Sequence, residues 1–98
     1  MSRAELNLAV LAIDRDETTL EAFDADPTGF VQPYRLSTEE RRALETWDHG
    51  ALYALGAHPF ILWQAVRSIS LLRDEALDAL VERYRAAVVP HGRPDFTT

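Results

Sequence analysis

Apolar residues recur three and four positions apart along most of the chain, the spacing of one face of an α-helix. Leu6, Val10 and Ile13 form a first stripe, which predicts a helix from Ser2, a residue able to cap it, to about Arg15. The charged run Asp14–Asp16 ends that stripe. A second helical segment follows from about Glu17 to Ala25, with Leu20 and Phe23 on one side. Pro27 and Gly29 interrupt it. Asp26 then reads as the cap of a short turn carrying Phe30, Val31 and Tyr34, which Pro33 closes.

The stretch LSTEERRALETW carries the clearest local signal. Ser37 with Glu40 three residues on is a capping box, because each side chain can bond the other's backbone amide. It predicts a helix from Thr38 to about Thr46 that buries Leu44 and Trp47. Asp48 caps the next short helix, with Leu52 and Leu55 as its apolar side. Gly56 suits a left-handed helix end, and Pro59 suits a first turn, where its missing amide costs nothing. A helix is expected from about Pro59 to Ile69 on Leu62, Val66 and Ile69. A last one is expected from about Asp74 to Val88 on Leu77, Leu80, Val81, Tyr84 and Val88, stopped by Pro90.

No alternating strand pattern or hairpin dipeptide occurs. The expected fold is therefore all-α: a small orthogonal bundle of five to seven short helices, one domain over residues 1–88 with a C-terminal tail at 89–98. Helices this short depend on packing rather than on intrinsic propensity.

Composition narrows the function. With 47% hydrophobic residues among 98, the chain is globular rather than disordered. Its formal charge of −6 argues against nucleic acid as a partner. No apolar run approaches the about 18 residues of a membrane span, so no membrane association is expected. The opening MSRAELNLAVLAIDRDE turns acidic at once and is not read as a signal peptide. There is no cysteine, which excludes disulfides and thiolate metal sites and fits a cytoplasmic location.

The chain carries no catalytic motif that stands on its own. It has no Cys nucleophile, no Gly-x-Ser-x-Gly elbow and no phosphate loop. His49, His58 and His91 lack the spacing of a helix-face metal pair, so no metal site and no catalytic residue is assigned. His49 is expected to be exposed behind its cap, and His91 to be solvated in the tail. Glu39, Glu40 and the other helix carboxylates are expected on solvated faces, and Arg41, Arg42, Arg83 and Arg85 in ordinary surface pairs. His58 admits two readings. It caps the helix that starts at Pro59, or it faces a partner from that helix's exposed end. Tyr34, Tyr53, Phe60 and Trp63 flank the two breaks in the helical pattern, and with His58 they are the partner- or substrate-facing candidates.

The run YRLSTEERRALETWDHGALYALGAHPFILW resembles the LigA family, the small alpha subunits of protocatechuate 4,5-dioxygenase-type extradiol dioxygenases. The likeness rests on Leu36, Thr38, Glu40, Ala43, Leu44, Asp48, Leu52, Leu55, Gly56, Phe60 and Leu62, and extends over about residues 18 to 68. It implies an all-helical protein with no cofactor of its own. That protein would associate with a large catalytic subunit, which holds a non-haem iron through two histidines and a glutamate. The small subunit would cover the cleft and help shape the pocket for the aromatic ring. LigA-like domains also stand alone, and some resemble the recognition domain of borosin-type peptide precursors, which present a C-terminal tail to a modifying N-methyltransferase. On that alternative, residues 89–98 are the tail. Self-association is a further possibility on either reading.

Overall fold

The structure is a computed structural model that describes residues 2–91, and of Ser2 the backbone alone. The expected Ser2 cap and the tail beyond His91 lie outside the described residues. The described residues are helical, with no strand among them. The helices are α1 (Ser2–Ile13), α2 (Glu17–Ala25), α3 (Pro27–Val31), α4 (Thr38–Glu45), α5 (His49–Leu55), α6 (Pro59–Leu72) and α7 (Leu77–Val88), followed by a 3-10 turn at Val89–His91. The small multi-helical bundle expected from the sequence is what the chain forms.

Local chemistry sets most boundaries. The Ser37–Glu40 box is complete: the Glu40 amide donates to Ser37 Oγ (3.1 Å) and the Ser37 amide to Glu40 Oε1 (2.8 Å). Glu40 is nevertheless buried, against the expectation of a solvated face. Its bond to an otherwise unsatisfied amide offsets the cost of removing it from water. A second box joins Asp16 and Thr19 at the start of α2. The Thr19 amide bond holds the Asp16 carboxyl below its usual pKa. Asp26 and Asp48 cap α3 and α5 through the amides of Gly29 and Ala51.

Three helices end in the same way, with a residue in the left-handed region and two backbone bonds closing the turn. At the end of α5 this residue is Gly56 (φ 111°), as expected. At the end of α4 it is Trp47 (φ 53°), and at the end of α6 it is Asp74 (φ 60°). Around Trp47, the Asp48 amide reaches Ala43 O (2.9 Å) and the Trp47 amide reaches Leu44 O (3.1 Å). Around Asp74, the Glu75 amide reaches Ser70 O (2.8 Å). This turn moves the start of α7 from the expected Asp74 to Leu77. Leu77 falls at the first helical position and is 53% exposed, so it leaves the stripe of Leu80, Tyr84 and Val88.

The core is built from the expected stripes. Leu6, Val10 and Ile13 of α1, Phe23 of α2, Leu44 of α4, Leu52 of α5, Leu62, Val66 and Ile69 of α6, and Leu80 and Val88 of α7 are buried. Helix α6 is central: it packs against α1, α2, α5 and α7. Arginines close several seams. Arg41 donates to Val31 O (3.3 Å) and Tyr34 O (3.2 Å), holding the end of α3 on α4 rather than forming a surface pair. Arg73 pairs with Asp24 at 2.7 Å across the ends of α6 and α2. No helix among the described residues is long and apolar enough to cross a membrane.

Candidate functional site

The joint Gly56–Ala57–His58 lies where α5 hands over to α6. His58 Nδ1 accepts from the Phe60 amide at 3.1 Å, which is helix capping in geometry. The joint is held from across the bundle by Asn7 of α1. Its Oδ1 accepts from the His58 amide (2.7 Å), and its Nδ2 donates to Gly56 O (3.2 Å) and Arg3 O (3.1 Å). One amide side chain therefore satisfies a donor and an acceptor of the break. Sequence reasoning did not single out Asn7. The available signal was a lone amide beside the apolar stripe of α1.

The five partner-facing candidates do not form one cluster. Phe60 is 48% exposed on the first turn of α6. It lines a groove of about 290 Å³ with Val10, Leu11 and Asp14 of α1 and Ile61 and Gln64 of α6. Leu11 and Leu8, one turn apart on α1, are also half exposed. Trp63 turns the other way, with its ring 5.0 Å from that of Tyr84 on α7. Tyr53 of α5 is close enough to Tyr84 to influence its ionisation. His58 stays at the joint between these two sides. Tyr34 sits in the α3–α4 connection, where its carbonyl accepts from Arg41. Tyr34, Tyr53, His58 and Trp63 are all partly buried.

On the α5/α7 side, aromatic rings follow one another from Phe30 through Phe23, Trp47 and His49 to Tyr84 and Trp63, with centroids 5.0–5.8 Å apart. His49 is only 4% exposed, which corrects the expectation that it faces solvent. Helix α7 covers it: the Tyr84 ring lies 5.8 Å from its own, and Trp47 meets it edge-on at 5.7 Å. The packing is close because Gly50 follows. A Cβ on Gly50 would come within 2.6 Å of the Ala87 carbonyl oxygen of α7. His49 Nε2 and the Tyr84 hydroxyl are both buried without a hydrogen-bond partner among the described residues. Burial, with the Arg83 charge adding to it, lowers the His49 pKa to about 4. Burial, with help from Tyr53, raises that of Tyr84 to about 12. Both side chains are therefore neutral near pH 7.

Among the described residues, no three His, Asp or Glu side chains come together as metal ligands. Comparisons with protein-family models, with curated proteins and with solved structures find no match for this chain. The chemistry that the arrangement offers is recognition: an apolar groove with one acidic rim residue on the α1/α6 side, and a dense aromatic seam on the other.

Proposed function

We propose that this chain is a non-catalytic, LigA-like helical subunit that docks through α1 and α6 onto the catalytic subunit of an extradiol aromatic ring-cleaving dioxygenase and helps shape its substrate pocket. The observation that carries this reading is the groove at Phe60. A half-exposed aromatic and a half-exposed leucine, Leu11, stand over Val10 and Ile61 at the α1/α6 surface. A phenylalanine placed so gains from burial in a complex. Asp14 is the charged residue lining the groove, so the complementary surface is apolar with an arginine or lysine at its edge. The likeness of the Tyr34–Trp63 stretch to the small-subunit family names the class of partner. The role is to exclude water and to hold the aromatic ring in place.

His49 is in the core, His58 caps a helix and His91 is at the surface, so these side chains do not fit a non-haem iron. In this proposal the iron belongs to the partner subunit. The reading in which a tail is presented to a modifying enzyme turns on residues that lie mostly outside those described.

The test is co-expression with an extradiol dioxygenase catalytic subunit from the same genome. The wild-type chain should co-purify with it and raise its ring-cleavage rate. Phe60→Asp should fold normally by circular dichroism yet lose both effects. Equal co-purification of the variant, or catechol cleavage by the isolated chain, contradicts the proposal.

A further inference from the structure

We infer that His49 is a buried titratable latch between α5 and α7, and that taking up a proton there loosens α7 from the rest of the bundle. The inference rests on how α7 is held. Its N-terminus has no side-chain cap, since Ala76 occupies that position. Its middle is tied to the α6 end and the connection after it by Arg83, which bonds Glu75 (2.7 Å) and Ser70 (3.5 Å), and its core face is Leu80, Tyr84 and Val88. It is held further by the Trp63 ring of α6, 5.0 Å from that of Tyr84, and by the seam with α5, where Gly50 lies under the Ala87 carbonyl and His49 lies against Tyr84.

The seam accepts a neutral imidazole and opposes a charged one. His49 Nε2 is buried with no hydrogen-bond partner among the described residues, so a proton there would be an unpaired buried donor. His49 is also the first residue of α5, where the free amides already carry partial positive charge. The groups that face it are few. From α7 come Arg83, which repels a cation, and Tyr84, which stays neutral. From the α6–α7 connection come Arg73, which repels, and Glu75, which attracts but is engaged by Arg83. On its own element Asp48 attracts, while its carboxylate is committed to the Ala51 amide at 3.1 Å. From the C-terminal turn, His91 lies against Gly50, with its Nε2 3.2 Å from where a Cβ on that residue would sit. Two of these charges lower the His49 pKa and two raise it, while burial is the largest cause and lowers it.

The sign follows from linkage. Burial under α7 takes the His49 pKa from the ordinary 6.5 to about 4, so a form in which α7 no longer covers it binds the proton more tightly. The hold is complete above about pH 6.5 and weakens steadily down to about pH 4. Where undocking restores the ordinary value of 6.5, opening is favoured about thirty-fold more at pH 5 than at pH 7.5.

The experiment is amide hydrogen exchange on the full chain from pH 7.5 to pH 5, corrected for the intrinsic pH dependence of exchange. Protection of Leu80, Tyr84 and Val88 should fall about thirty-fold, and that of Leu6 and Val10 in α1 much less. In His49→Gln, which cannot titrate, the α7 amides should lose this dependence. Equal loss in α1 and α7, or the same loss in His49→Gln, overturns the latch. Should the variant fail to fold, the imidazole signal of the wild-type chain decides by NMR. Titration of His49 near pH 6.5 in the folded protein overturns the proposal; titration near pH 4 upholds it where α7 amides lose protection before those of α1, and equal loss in both overturns it.

Discussion

The α1/α6 side and the α5/α7 side of this bundle are built from the same residue classes to opposite effect. On the first, regular helices bury aliphatic stripes and leave Phe60 and Leu11 half exposed over a groove, with Leu8 half exposed one turn before Leu11. On the second, aromatic rings are packed so closely that His49 Nε2 and the Tyr84 hydroxyl have no hydrogen-bond partner among the described residues, and α5 comes so close to α7 that only glycine fits at position 50. Trp47 accepts a left-handed backbone there as well (φ 53°), with its ring set against Phe23 and His49. The difference separates two uses of apolar surface. Area left in water is available to a partner, whereas area buried at the cost of unpaired polar atoms holds the fold together and makes it sensitive to protonation.

Three substitutions sharpen this contrast. The largest effect belongs to the tight seam. Gly50→Ala places a methyl group 2.6 Å from the Ala87 carbonyl oxygen, so α5 and α7 must separate. Urea unfolding should show a loss of about 2–3 kcal/mol, the upper range for overpacking. A change under about 0.5 kcal/mol would mean that the two helices are not pressed together. Next comes Asn7→Ala on the other side. It leaves the His58 amide and Gly56 carbonyl of a partly buried joint without their protein partner, and should cost about 1–2 kcal/mol. The smallest effect is the most diagnostic. Tyr84→Phe removes a buried hydroxyl with no partner among the described residues, so stability should stay level or rise by up to about 1 kcal/mol. A clear loss would show that the hydroxyl is engaged after all.

The part of the fold that could be read from sequence is the part decided within one turn of helix. The Ser37–Glu40 box, the Asp26 and Asp48 caps and the Gly56 terminus each involve residues two to four apart, and each stands where expected. The Asp16–Thr19 box is equally local, but it uses an aspartate and a threonine in place of the usual serine and glutamate. The left-handed turns at Trp47 and Asp74 were not legible, because a bulky or charged residue adopts that backbone only where surrounding packing requires it. His49 read as exposed because the residues that cover it, Tyr84 above all, belong to a helix distant in sequence. Asn7 was missed for the same reason: its two key bonds span 49 and 51 residues. Of the candidate site, Phe60 was legible as an aromatic at the mouth of a helix break. Its separation from Trp63 was not, since that depends on which neighbour each face of α6 meets.

The most direct measurement is a hydrogen-exchange footprint of this chain with and without an extradiol dioxygenase catalytic subunit. The docking proposal predicts added protection in Leu8–Ile13 of α1 and in the first turns of α6 from Phe60 to Gln64, with α7 unchanged. Protection confined to α7, or none anywhere at saturating partner, would contradict it.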